Sequence, residues 1–366
     1  MRFHRGVQTR VFEVERVLPR EVSGILTSDD RTLMGQKGLR DPRIDMVKAI
    51  CILMVLIWHL QPVTRSMMQP GTTAGALGWM FLDFFYCYLA PLAMPAFICI
   101  STMLFVKRSL AAREYWKERL KRLIQLLIFW TSIQFIVYLL AGGGFPLPFV
   151  TIIPGGGPAL PYVGDSVFHF LLTLIVCTAL AAVFLRLPDK LRSIASAIII
   201  ILSCSNFILS SHYRVPMMVG EMENYYIYVP TAYYMVKYHD RLPDCRMFFI
   251  LGFFLALAYE TNIVRNMICP YARLSVVFGV LSLISLFLHM QVRRIPVVEF
   301  LSRYSLGIFA LHKYWYFVFI VLLGAVTTRF YEAVLPERLI LFSTTATLTL
   351  LSAYLLGKTK LRSLVS

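Results

Sequence analysis

The feature that most limits what this chain can become is a series of apolar stretches, each long enough for a bilayer crossing, separated by short basic clusters. A helix rises about 1.5 Å per residue and the hydrocarbon core is about 30 Å thick, so roughly 20 apolar residues make one crossing. On that measure spans are expected at 44–63, 80–106, 121–141, 166–186, 192–210, 225–237, 246–260, 273–290, 304–323 and 338–357. The second includes an interfacial turn, with the span proper starting near Pro91. The sixth is short, is interrupted by Pro230, and gives the weakest signal. The expected fold is all-α, a polytopic transmembrane helix bundle of about ten spans.

The basic residues orient this bundle. With the N-terminus inside, the expected cytoplasmic loops hold Lys107, Arg108, Arg113, Lys117, Arg119, Lys121 and Arg122, then three further clusters ending at Arg303, and the C-terminal tail adds Lys358, Lys360 and Arg362. The outer loops hold isolated arginines only. The asymmetry has the sign of the positive-inside rule along the whole chain, which places both termini in the cytoplasm. Dropping the sixth span would reverse that agreement for three clusters. Residues 1–43 read as a polar cytoplasmic tail, in which Met34 offers an alternative start, 44–357 as the membrane domain, and 358–366 as a basic cytoplasmic tail. The first apolar stretch begins near Ile44, so no cleavable signal peptide is expected. The outer segment 142–165 has no Lys or Arg and two glycine-proline clusters, and reads as an irregular loop that either roofs a site or simply connects two spans.

Composition excludes other classes. The 366 residues are 58% hydrophobic and 15% charged, against roughly 45–50% and about 25% in soluble domains. A net charge of +16 would suit nucleic acid only if clustered on one soluble face, and here it is spread between apolar stretches. The seven cysteines are an odd count, without a C-x-x-C pair and mostly inside apolar stretches. Neither a disulfide framework nor a metal site is indicated.

The first span carries the densest chemistry. Lys48 and His59 are eleven residues apart, three helical turns, so they share a face about 16 Å apart along the axis. Asp45 lies three residues before Lys48 on the same face and is placed to partner it. Ionisable side chains within spans face the bundle interior or a wet cavity, so the stripe suits a channel. The plainer reading makes Asp45 and Lys48 interfacial anchors and His59 an outer-interface ring. His312 lies inside the ninth span and is followed at once by Lys313. It is either a buried structural histidine or a direct participant. Glu221, Glu223 and Glu260 are outer-side carboxylates that offer hydrogen bonds to a sugar, while His169, His212, His239 and His289 fall at span ends or in loops, where solvation accounts for them.

These residues resemble the signatures of the acyltransferase-3 family, membrane enzymes that acylate, usually acetylate, sugars and other acceptors of the bacterial cell surface. Its basic residue, ten residues, then histidine in the first span is similar to Lys48 to His59. Its proline-aromatic-serine-glycine stretch is similar to Met94-Pro95-Ala96-Phe97-Ile98-Cys99-Ile100-Ser101, with Thr102 where glycine is usual. Its R-x-x-R is matched by Arg119-Leu120-Lys121-Arg122, and its serine-leucine-glycine to histidine stretch by Ser305-Leu306-Gly307 through His312. The resemblance runs over roughly 43–357. It implies an acyl-CoA co-substrate, most simply acetyl-CoA, on the cytoplasmic side of a bacterial inner membrane. It also implies a hydroxyl acceptor on a cell-envelope or exported polysaccharide, or a lipid-linked glycan, at the outer face.

Within that family reading, Arg119 and Arg122 fall at i, i+3 and offer guanidinium groups to the coenzyme's phosphates, besides anchoring topology. His59 serves either as general base or as a transiently acylated nucleophile. Ser101 lines the tunnel or bonds a carbonyl of its own helix. The competing class is a transporter of a polysaccharide or lipid-linked intermediate. Transporters commonly show internal repeats, and none stands out in this chain. A receptor or scaffold would leave Asp45, Lys48 and His59 without a purpose.

Overall fold

In a computed structural model, the described residues are 40–64, 67–68, 71–112, 114–143, 158–160, 167–213, 222–242, 244–263, 270–322 and 335–365. They contain helices and no strand. The N-terminal tail with Met34, most of the 142–165 loop and Glu221 lie outside them.

The α-helices are α1 (Pro42–Leu60), α2 (Thr73–Phe84), α3 (Ala93–Ala111), α4 (Tyr115–Leu140), α5 (His169–Phe184) and α6 (Asp189–Tyr213). They continue with α7 (Tyr228–Lys237), α8 (Arg246–Ile263), α9 (Leu274–His289), α10 (Pro296–Arg303), α11 (Ser305–Leu322) and α12 (Leu335–Lys358). Helix therefore lies at all ten expected places. Among the described residues, four stretches are long and apolar enough to cross a membrane: Thr73–Ala111, Tyr115–Leu140, Asp189–Leu209 and Leu335–Lys358, or five if the bent pair α10–α11 counts as one. Helix α1 carries Arg43, Asp45 and Lys48 in its first two turns. Helix α7 has ten residues and reaches about 15 Å, half a hydrocarbon core. The sixth expected span is thus a half-length helix, buried along most of its face.

Helix α1 is the centre of the bundle, packed against α3, α9, α10 and α11. Helix α3 in turn packs on α5 and α7. Of the apolar 18-residue segment within Thr73–Ala111, 78% is buried, whereas for the corresponding segments of α4, α6 and α12 the share is 17–22%, and these helices form the periphery. Leu140, Ile201, Phe248 and Ile340 are exposed there. Exposed apolar faces of that extent on several helices are what lipid contact requires, and water would penalise them.

Local chemistry explains the helix ends. Asp41 caps α1 by accepting from the Arg43 N–H at 2.9 Å, with Pro42 in the first position, both favoured N-terminal choices. At its other end Gln61 turns into the left-handed region at φ 40°. Between α2 and α3, a π-helical turn at Phe85–Leu89 and a 3₁₀ turn at Ala90–Leu92 mark the expected break near Pro91. Arg192 donates to the Leu185 and Leu187 carbonyls at 3.2 and 2.6 Å, so this arginine at the start of α6 also satisfies the end of α5.

Candidate active site

The site is built around a bend. Helices α10 and α11 meet at 72°, with Tyr304 between them at φ −98°, ψ 12°. A bend of that size removes helical hydrogen bonds on both sides of it. The Ser302 carbonyl accepts instead from Lys48 Nζ at 3.1 Å and from Ser305 Oγ at 3.0 Å. The Gly307 N–H donates to the Val365 carbonyl at 3.1 Å. A Cβ at Gly307 would lie 2.8 Å from that of Val365, so glycine is what lets the C-terminal segment approach. Asp45 is 4% exposed and accepts from Ser302 Oγ at 2.5 Å, with Arg40 Nε 3.8 Å away. Asp45 and Lys48 therefore meet through the two ends of Ser302, in place of the direct pair that their spacing suggested.

Beside the bend lies a cavity of about 220 Å³. Arg40, Lys48, Arg119, Arg122 and Arg303 line it together with Ser101 and Ser305. Its apolar wall includes Phe97, Leu126, Phe170, Leu171 and Phe309. Arg119 Nη2 donates to Ser101 Oγ at 2.5 Å, while its Nε is buried without a hydrogen-bond partner among the described residues. Arg122 stands at the rim and reaches the Ser363 carbonyl at 3.5 Å. Trp130 Nε1 holds the neighbouring Leu364 carbonyl at 3.2 Å. Five cationic side chains around one partly open cavity, with no carboxylate in its lining, make a site for an anion carrying an apolar or amide arm.

A histidine pair occupies the far end of α1. The rings of His59 and His312 are 5.0 Å apart and tilted by 39°. His312 is fully buried. Its Nδ1 lies 2.7 Å from the Phe309 carbonyl and 3.3 Å from that of Ile308. A carbonyl can only accept, so Nδ1 carries the proton and Nε2 holds a lone pair. That Nε2 has no hydrogen-bond partner among the described residues. Lys313 and His169 stand within electrostatic reach of His59. Trp58 stacks beside His59 with centroids 6.1 Å apart and continues to Tyr271 at 5.9 Å.

The structure therefore brings the expected residues together as two groups. Lys48, Asp45, Ser101, Arg119 and Arg122 gather at the cavity, and His59 and His312 pair at the other end of the same helix. Glu260 belongs to neither. Its carboxylate accepts from the Ser275 N–H at 3.0 Å and from the Ser275 hydroxyl, which caps α9 and commits it to the fold. Glu223 keeps one carboxylate oxygen buried without a hydrogen-bond partner among the described residues. Sequence reasoning missed Ser302, Arg40 and Phe170 as site residues. For Ser302 a partial signal existed: Pro296, nine residues before Ser305, favours the first position of a helix, so a helix could begin ahead of the expected ninth span.

An apolar helical bundle with a cationic cavity and a buried histidine pair defines a membrane protein equipped for group transfer. A family model described as "Acyltransferase domain" matches residues 41–357, and the chain belongs to this acyltransferase-3 family. It is a membrane acyltransferase. No curated protein and no solved structure matches it.

Proposed function

We propose that the protein transfers an acyl group, in the simplest case acetyl, from cytoplasmic acyl-CoA to a hydroxyl of a cell-envelope or exported polysaccharide. In this reading it sits in a bacterial inner membrane as a bundle of about ten spans, the sixth with a half-length helix, and both termini in the cytoplasm. The observation that carries the proposal is the cavity. Its five cations and the buried Nε of Arg119, which has no hydrogen-bond partner among the described residues, match a coenzyme's phosphates. Its apolar wall then leads toward the histidine pair.

The roles follow from position. Arg119, oriented by Ser101, and Arg122 hold phosphate oxygens. Lys48, fixed by Ser302 and backed by Asp45, lends a further charge at the cavity. In the direct route His59 takes the proton of the acceptor hydroxyl, and the oxygen attacks the thioester carbon. The carbon–sulfur bond breaks and the proton passes to the coenzyme thiolate. In the two-step route a histidine nitrogen first takes the acyl group as the carbon–sulfur bond breaks and releases the thiolate. The acceptor oxygen then takes the acyl group as the carbon–nitrogen bond breaks, and the hydroxyl proton ends on the thiolate. His312 Nε2 adjoins His59 as a second proton acceptor in either route. The envelope glycan, the membrane lipid and acyl-CoA are the partners.

The test combines two measurements. Purified protein with native membranes should release free coenzyme A from acetyl-CoA, and deleting the gene should strip O-acetyl groups from an envelope glycan. A transporter would consume no acyl-CoA and would leave unmodified glycan accumulating inside deletion cells, and that result would overturn the proposal.

A further inference from the structure

The cavity and the histidine pair are separate spaces, and the boundary between them is aromatic. Neither His59 nor His312 lines the cavity. Phe309 does, and it is 6% exposed. Its ring lies 5.1 Å from Phe170 and 6.0 Å from His312, and Phe170 stands 6.3 Å from Phe97. Ser305, Phe309 and His312 share one face of α11 at i, i+4 and i+7. Phe309 and His312 are three residues apart, about 4.5 Å of helical rise. A thioester entering past the arginines thus meets the Phe309 ring before any imidazole nitrogen.

We infer that Phe309, backed by Phe170, is the specificity-determining residue that limits the length of the transferred acyl chain. The inference rests on the acyl-CoA reading above and deepens it. A chain of two carbons needs little room beyond its carbonyl to stand against the His312–His59 pair. Each added methylene must occupy space that the tilted Phe309 and Phe170 rings already fill, and a packed interior admits extra methylenes only by strain. The gate acts through side-chain volume alone. The proton on His312 Nδ1 is held by the Phe309 backbone carbonyl, so replacing the Phe309 side chain leaves that tautomer in place. No bond is made or broken at Phe309; the transfer itself remains the thioester-to-oxygen exchange described above.

The experiment measures coenzyme A release by the purified full-length chain, supplied with native membranes, from acetyl-, butyryl- and hexanoyl-CoA. The wild type should favour acetyl-CoA over hexanoyl-CoA in kcat/KM. Phe309→Ala should reduce that preference at least about tenfold, since methylene-scale fit in an apolar pocket is worth 10–200-fold. Phe309→Leu and Phe170→Leu should fall between the two, and they decide the question should the alanine variant not fold. Variants that release coenzyme A with the wild-type donor ratio overturn the gate and leave the donor site standing. A wild type that releases none from any donor overturns the donor reading and the gate with it.

Discussion

The contact between α1 and the α10–α11 bend can be isolated by a double-mutant cycle on Asp45 and Ser302. Ser302 is fully buried and Asp45 is 4% exposed, and the Ser302 hydroxyl donates to Asp45 at 2.5 Å. The other charge near Asp45, Arg40, lies 3.8 Å away with 40% of its side chain exposed. An exposed partner of that kind contributes roughly 0–1 kcal/mol. The buried, charge-assisted bond contributes about 1.5–3 kcal/mol. Ser302→Ala strands the carboxylate and should cost about 1.5–3 kcal/mol, and Asp45→Ala strands the hydroxyl and opens a small void at similar cost. Independent losses would sum to about 3–6 kcal/mol. If the two groups bond each other, the double variant should cost little more than the worse single one, leaving a coupling energy of about 1.5–3 kcal/mol. Reversible unfolding of the purified protein in mixed micelles by increasing SDS gives the four free energies. Additivity within about 0.5 kcal/mol would refute the contact and the placement of Lys48 that depends on it.

The remaining expectations concern chemistry and topology. His59→Ala should insert normally and bind acetyl-CoA, yet lose at least about 10²-fold in transfer, the lower bound for a missing general base; full glycan acetylation by a well-expressed variant would remove His59 from the mechanism. Arg119→Ala with Arg122→Ala should raise KM for acyl-CoA with little change in KM for acceptor, and Arg119→Lys should restore only part of the loss because an ammonium lacks the planar fork. Wild-type acyl-CoA kinetics in that double variant would reassign both arginines to topology. A cysteine replacing Gly156 in a cysteine-free background should react with an impermeant maleimide in intact cells, and labelling only after lysis would invert the proposed orientation.

Much of the fold was legible because lipid imposes a length rule on apolar segments. That rule located helix at each of the ten expected places and put the break of the second stretch near Pro91. It could not supply the 72° bend, since Arg303 and Tyr304 interrupt no apolar run strongly and Pro296 read as part of a loop. It marked the sixth span as short but could not say whether α7 faces protein or lipid, because hydropathy reports affinity for an apolar setting and not what supplies it. The site was legible where residues repeat along one helix: Lys48 with His59, and Arg119 with Arg122. It was illegible where partners come from opposite ends of the chain. Ser302 is 254 residues from Lys48, and nothing in local spacing joins them. Asp45 was matched to Lys48 by helical periodicity, while tertiary structure inserted the two ends of Ser302 between them.

The placement of α1 at the centre of the bundle follows from the same chemistry that equips the site. A lysine and an aspartate in a helix facing hydrocarbon each cost several kcal/mol. The bend between α10 and α11 has the complementary problem, since the Ser302 carbonyl has lost its helical donor and needs another. Each group supplies what the other lacks: Lys48 gives the carbonyl a charged donor at the negative end of α10, and the Ser302 hydroxyl gives Asp45 its hydrogen bond. Helix α1 is therefore stable where α3, α9, α10 and α11 surround it, and far less so at the periphery. Once it is central, its length fixes the distance between the cationic cavity at Lys48 and the histidine pair at His59, about 16 Å by helical rise. That is a large part of a membrane's thickness spanned by one rigid element. The polar residues that make α1 a poor independent crossing are the ones that set the two ends of the proposed transfer path in register.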